Sequence, residues 1–135
     1  MSSMMALLWF TGWTLLLVTL AVTYRVALVL TFKKPANAWP RGEKHADDPG
    51  LVTRLEHAHA NCVENLPIFA VLVLAASLMG HSGQIDPVAP YVVYARLAQS
   101  VTHLIGTSAL LVFVRANFYL VQVGLFAFML WRLLA

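Results

Sequence analysis

The sequence predicts an all-α membrane protein, a four-transmembrane-helix bundle in a single domain. Three observations point there. Hydrophobic residues make up 60% of the 135-residue chain and charged residues only 11%, whereas soluble domains carry about 25% charged residues. The apolar residues gather into runs close to the ~20 needed to cross ~30 Å of hydrocarbon. Basic residues concentrate in alternate connectors, as a chain that crosses a bilayer repeatedly requires.

The first span covers about 5–32, with Trp9 and Trp13 near its start and Tyr24-Arg25 interrupting the apolar run before Lys33-Lys34 stops it. It has no basic region before it and no small-residue cleavage signature after it, so it reads as a retained helix and not a signal peptide. Arg25 either snorkels or faces the bundle. The connector that follows holds Pro35, Pro40, Pro49, Gly42 and Gly50, with Lys33, Lys34, Arg41 and Lys44 against Glu43, Asp47 and Asp48. It reads as a solvated loop.

The second span covers about 51–79, although only the part after Pro67 is cleanly apolar. A turn cluster at 80–87 (Gly-His-Ser-Gly-Gln-Ile-Asp-Pro) leads to the third span at about 89–110. Arg115-Ala116-Asn117 then breaks the polarity pattern, and the fourth span, about 116–134, ends on Trp131 and Arg132, residues favoured at an interface. Counting Lys and Arg in the connectors gives four, none and one (Arg115). By the positive-inside rule the first and third loops are cytoplasmic and both termini lie opposite.

The net charge of +3 is small and local to one loop, which argues against a nucleic-acid partner. Cys62 is the only cysteine, so an internal disulfide and a thiolate-shared zinc site are both excluded; no metal is expected. Four short spans have little surface to bury against each other, and lipid gives no hydrophobic drive to helix association. Oligomerisation is therefore expected, with ligand crevices between subunits.

The chemistry concentrates on the second span, where charged and amide residues enter a segment of membrane depth. A charge at the bilayer centre costs roughly 2.5–3.5 kcal/mol on insertion scales, so such residues usually face a bundle interior, a partner or a ligand. At 100° per residue, with Arg54 at zero, His57, Asn61 and Glu64 fall at about −60°, −20° and −80°. All four share a face. On the third span Arg96, Gln99 and His103 lie within about 60° of each other. Arg115 and Tyr119 form an i, i+4 pair at the entrance to the fourth. Guanidinium groups for a carboxylate or thiolate, a carboxylate for an ammonium group and amides for peptide groups together suit a small zwitterionic peptide.

Each residue also has a purely structural reading. Arg54 and Glu64 serve equally as a snorkelling residue and half of an ion pair, and Arg96 most easily pairs with Glu64. His59 and Cys62 fall off the stripe; His59 reads as a packed or interfacial group and Cys62 as a packed thiol. Pro67 reads as a tolerated kink, Tyr119 as a belt aromatic, and Lys33 with Lys34 as a topology determinant.

The run Arg54-x-x-x-Ala58-His59-x-Asn61-x-x-Glu64-Asn65-x-Pro67-x-Phe69 resembles the signature of the MAPEG family, the membrane-associated proteins in eicosanoid and glutathione metabolism, and is most similar to its microsomal glutathione transferase branch. Tyr94-Ala95-Arg96 and Arg115-Ala116-x-x-Tyr119-x-x-x-x-Gly124 are similar to the family's later motifs. The resemblance implies a four-helix protomer, a homotrimer with sites between subunits, and glutathione as co-substrate, bound bent near the cytoplasmic side. It implies that Arg54, Asn61 and Glu64 hold the peptide, with His57 a further binding candidate from the shared face, that Arg96 and His103 complete the pocket, and that Arg115 and Tyr119 are catalytic, nearest the sulfur. Three positions depart from the family pattern: His57 stands where relatives often carry an arginine, Gln99 where a histidine is frequent, and His103 where a tyrosine is common. The interval from His103 to Arg115 is also about one helical turn longer than the pattern.

The resemblance thus implies an integral membrane transferase that conjugates or reduces apolar electrophiles through a glutathione thiolate, in a bacterial inner membrane or the endoplasmic reticulum. Its partners are glutathione, a lipophilic substrate, the lipid bilayer and copies of itself. The alternative is a non-catalytic lipid- or partner-binding scaffold of the same fold. A pore or transporter is disfavoured, since the chain shows no repeat and no paired broken helices.

Overall fold

The computed structural model describes residues 1–41, 43 and 48–135. Gly42, Lys44 and Asp47 of the first connector lie outside the described residues. Five helices follow in order: α1 (Ser3–Leu30), α2 (Gly50–Leu78), the single turn α3 (Ser82–Ile85), α4 (Ala89–Ile105) and α5 (Ala109–Leu134). Among the described residues there is no strand.

Local chemistry sets the helix ends. Ser2 caps α1 by accepting from the Met5 amide at 3.2 Å, while Asp86 from the α3–α4 link accepts from the Ser3 amide at 2.7 Å. The α1 C-terminus closes with Phe32 N to Val29 O at 3.0 Å and Lys33 N to Leu28 O at 2.9 Å. This is a Schellman pairing, with Phe32 in the left-handed region at φ 55°. The end of α2 repeats the arrangement through Gly80 at φ 72°, where the left-handed backbone carries no Cβ penalty. Pro67 does not break α2, which runs continuously through it.

Helix α1 packs on α2 and α4, α4 packs on α5, and α2 touches both α4 and α5. Phe10 on α1 meets Phe69 on α2 at 5.7 Å between ring centroids, and Phe69 meets Phe126 on α5 at 6.0 Å. Phe10, Phe69, Val73, Val92, Ile85 and Met129 are sealed from solvent. Where lipid supplies no hydrophobic drive, such close side-chain contact is what holds helices together.

α1, α2 and α5 are long and apolar enough to cross a membrane. At 17 residues, α4 spans only about 26 Å. Two helix limits differ from the sequence reading. α4 ends at Ile105, short of 110, and α5 begins at Ala109, well before 116. The break falls at Gly106-Thr107-Ser108, where Ser108 Oγ caps α5 by accepting from Leu111 N at 3.4 Å. Arg115 and Asn117 do not interrupt the helix. Asn117 Nδ2 donates back to Phe113 O at 2.8 Å, so its polarity is satisfied within the turn.

Candidate functional site

Side chains from α2, α4 and α5 converge on a cleft of about 580 Å³, inside the roughly 300–1,000 Å³ range of small-molecule sites. α2 contributes His57, Ala60, Asn61 and Glu64, α4 contributes Gln99 and His103, and α5 contributes Arg115, Ala116, Tyr119 and Leu120. These are i, i+3, i+4 and i+7 neighbours on α2 and i, i+4 neighbours on the other two helices, so each helix offers one face. The small residues Ala60 and Ala116 leave room between the polar groups. Six of the eight nominated residues therefore meet at one cleft: His57, Asn61, Glu64, His103, Arg115 and Tyr119.

The remaining two lie elsewhere in the protomer. Arg54 Nε donates to the Leu104 carbonyl at 2.9 Å, placing a cation on the last turn of α4, where the helix dipole favours it. This bond also sets the start of α2 beside the α4–α5 link. Arg96 is 1% exposed, with its guanidinium carbon 5.4 Å from the centre of the Phe10 ring. Among the described residues, none offers a hydrogen bond to any of its three side-chain nitrogens. The expected Arg96–Glu64 ion pair is not formed: Arg96 is buried over Phe10 of α1, while Glu64 is exposed at the cleft.

Within the cleft, an Arg115 guanidinium nitrogen contacts His103 Nδ1. A guanidinium can only donate, so Nδ1 is the acceptor and the proton of the neutral imidazole sits on Nε2. His57 meets the His103 ring edge-on at 5.9 Å between centroids. Among the described residues, the other Arg115 nitrogens have no hydrogen-bond partner. On the floor, Gln122 Nε2 donates to Gln99 Oε1 at 2.9 Å and to Phe118 O at 3.2 Å. The cleft thus offers one guanidinium, one carboxylate, two imidazoles, two amides and a phenol. Cys62, off this face, is fully buried with its sulfur 4.0 Å from Ser100 Oγ.

An apolar groove of about 410 Å³ adjoins the cleft between α2 and α5. Ile68, Leu72, Val123, Phe126 and Leu130 line it, and Tyr119 belongs to both. Tyr119 therefore lines both the cleft that carries the charged groups and the groove that is largely apolar.

Sequence reasoning missed two partners. Gln122 is fully buried beneath Gln99, and its signal was present: seven residues beyond Arg115 it falls within about 20° of the same α5 face. Glu56 is the ion-pair partner of Arg25, which therefore faces the bundle. Trp39 stacks against Arg25 at 5.3 Å and Lys34 at 5.4 Å, and its indole nitrogen donates to Asp48 at 3.1 Å. His59 is half-buried beside that pair, lining a small cavity of about 180 Å³.

Comparison with protein-family models matches residues 3–135 to the MAPEG family. Neither the curated proteins nor the solved structures returned a match.

Proposed function

The chain belongs to the MAPEG family, and on that premise we propose that it is a glutathione-dependent membrane transferase of the microsomal type, working as a homotrimer of four-span protomers with α4 as the short third span. The observation that carries this reading is the junction at Tyr119. A cleft bearing Glu64 and Arg115 shares Tyr119 with a largely apolar groove. Such a pair of chambers suits a zwitterionic thiol peptide on one side and a lipophilic electrophile, delivered from the bilayer, on the other.

In this reading Glu64 takes the ammonium group, Asn61 and Gln99 take peptide groups, and Arg115 with Tyr119 faces the sulfur. Thiolate is the nucleophile. Bringing a thiol from its ordinary pKa of about 8.5 to about 7 takes roughly 2 kcal/mol of preferential anion stabilisation. One guanidinium at contact distance in a partly desolvated site is sufficient for that. The thiolate then attacks the electrophile, forming the sulfur–carbon bond as the leaving group departs with the electron pair. His103, accepting from Arg115, holds the guanidinium in place.

The first and third connectors would face the cytoplasm. Arg54 bonds Leu104 and so brings those two connectors to one end of the bundle, together with Lys33, Lys34 and Arg41, which supports that orientation.

Conjugation of glutathione to a chloronitrobenzene-type substrate tests the assignment. Arg115→Ala should lower kcat/KM about 10- to 100-fold, matching the loss of roughly 2 kcal/mol, while Lys33→Ala should leave it unchanged. Equal losses in both variants would remove Arg115 from the chemistry.

The second reading, a non-catalytic lipid- or partner-binding scaffold, draws support from the withdrawal of Arg54 and Arg96 from the cleft. Calorimetry separates the two, since a scaffold of this kind would take up no glutathione.

A further inference from the structure

The floor of the cleft contains a chain of hydrogen bonds whose polarity is set from one end. The Phe118 carbonyl belongs to the backbone of α5 and can only accept. Gln122 Nε2 lies 3.2 Å from it, so the amide group of Gln122 must face it with the nitrogen. The same nitrogen lies 2.9 Å from Gln99 Oε1. With both Nε2 protons of Gln122 committed, the atom that Gln99 turns toward it must be an acceptor. Rotating the Gln99 amide by half a turn would bring two donor groups face to face, which costs a hydrogen bond and adds repulsion. Gln99 Nε2 has no partner among the described residues, and Gln99 lines the cleft, whereas Gln122 is fully buried and does not.

We propose that Gln122 is a positioning residue: held by the Phe118 carbonyl, it fixes the Gln99 amide with its NH2 group directed into the cleft, so that this wall accepts only a ligand group presenting an acceptor oxygen. This rests on the reading of the cleft as a glutathione site, and there the group selected is a carbonyl or carboxylate oxygen of the tripeptide. A glutamine in this position is a neutral donor of fixed direction, unlike a histidine, which presents a donor or an acceptor according to tautomer and pH.

The test is calorimetric titration of glutathione into the full-length protein in lipid nanodiscs, for wild type, Gln99→Met, Gln122→Met, the double variant and Gln99→Glu. Each methionine variant should weaken binding about three- to tenfold, the equivalent of one hydrogen bond. The double variant should be no weaker than Gln99→Met, because both act through one donor. In turnover, Gln122→Met should raise KM for glutathione and leave kcat at saturation unchanged, which a general loss of fold integrity would not do. Gln99→Glu retains the oxygen that accepts from Gln122 and puts a second oxygen into the cleft, so it should bind glutathione more weakly than Gln99→Met. Losses that multiply in the double variant, or a Gln99→Glu affinity equal to wild type, would overturn the relay while leaving the glutathione site intact. If Gln122→Met does not fold, the comparison of Gln99→Glu with Gln99→Met decides alone. Absence of glutathione binding by the wild type would overturn the glutathione reading itself, and the proposed selection with it.

Discussion

Arg96 shows how far a helical wheel reaches. Angles around α4 correctly grouped Arg96, Gln99 and His103, but a shared angle says nothing of what stands opposite at each level of the helix. Arg96 lies seven residues, about 10 Å along the axis, from His103, and at its level the guanidinium meets Phe10 of α1, whereas Gln99 and His103 line the cleft. Which neighbour stands at which level is a tertiary fact, invisible in the spacing. The consequence is energetic. A buried guanidinium without a hydrogen-bond partner bears a desolvation cost that an apolar chain of similar length does not. Arg96→Met should therefore leave the ligand-free protein as stable as wild type or more so, by up to about 1–4 kcal/mol, read as the midpoint of thermal unfolding in detergent. A large drop in that midpoint would mean that the guanidinium is satisfied in the assembled protein.

Among the helices, α5 differs most from its sequence reading, and the reason is chemical. In the sequence Arg115-Ala116-Asn117 reads as a break because polarity interrupts an apolar run. Polarity is not a helix stop when the side chain has somewhere to go: Arg115 reaches His103 and Asn117 bonds its own preceding turn. The real boundary was written in capping chemistry, with Gly106 and then Ser108 at the N-cap. Starting α5 at Ala109 puts Arg115 inside the helix, facing the cleft beside Tyr119. Ser108→Ala should cost about 0.5–2 kcal/mol and fray the first turn of α5, which amide hydrogen exchange at Leu111 and Val112 would register as lost protection. Unchanged exchange there would show that the cap is idle. The other ends were more legible, since Gly80 and the Lys33-Lys34 stop stood in the expected places; Phe32 in the left-handed region carried no such signal.

At the scale of the whole molecule, composition sufficed for an all-helical membrane protein, and the Arg54-to-Phe69 signature for its family. The meeting of three helices at one cleft required the tertiary structure, as did the apolar groove that shares Tyr119 with it. Only Gln122, Phe126 and Met129 of the 26 residues of α5 are buried in the protomer, leaving a largely apolar helix for lipid or a neighbouring copy. In the proposed trimer that face meets another subunit, so the mass of the protein in detergent, corrected for bound detergent, should be that of three chains; a monomer at all concentrations would contradict it.

Bound in this cleft, glutathione should carry its sulfur as a thiolate beside Arg115. The ultraviolet absorbance of that thiolate at neutral pH, recorded as glutathione is added to wild type and to Arg115→Ala, tests this. The wild type should show a saturable thiolate band that is largely lost in the variant. No band in the wild type, or bands of equal strength in both proteins, would rule out thiolate stabilisation by Arg115.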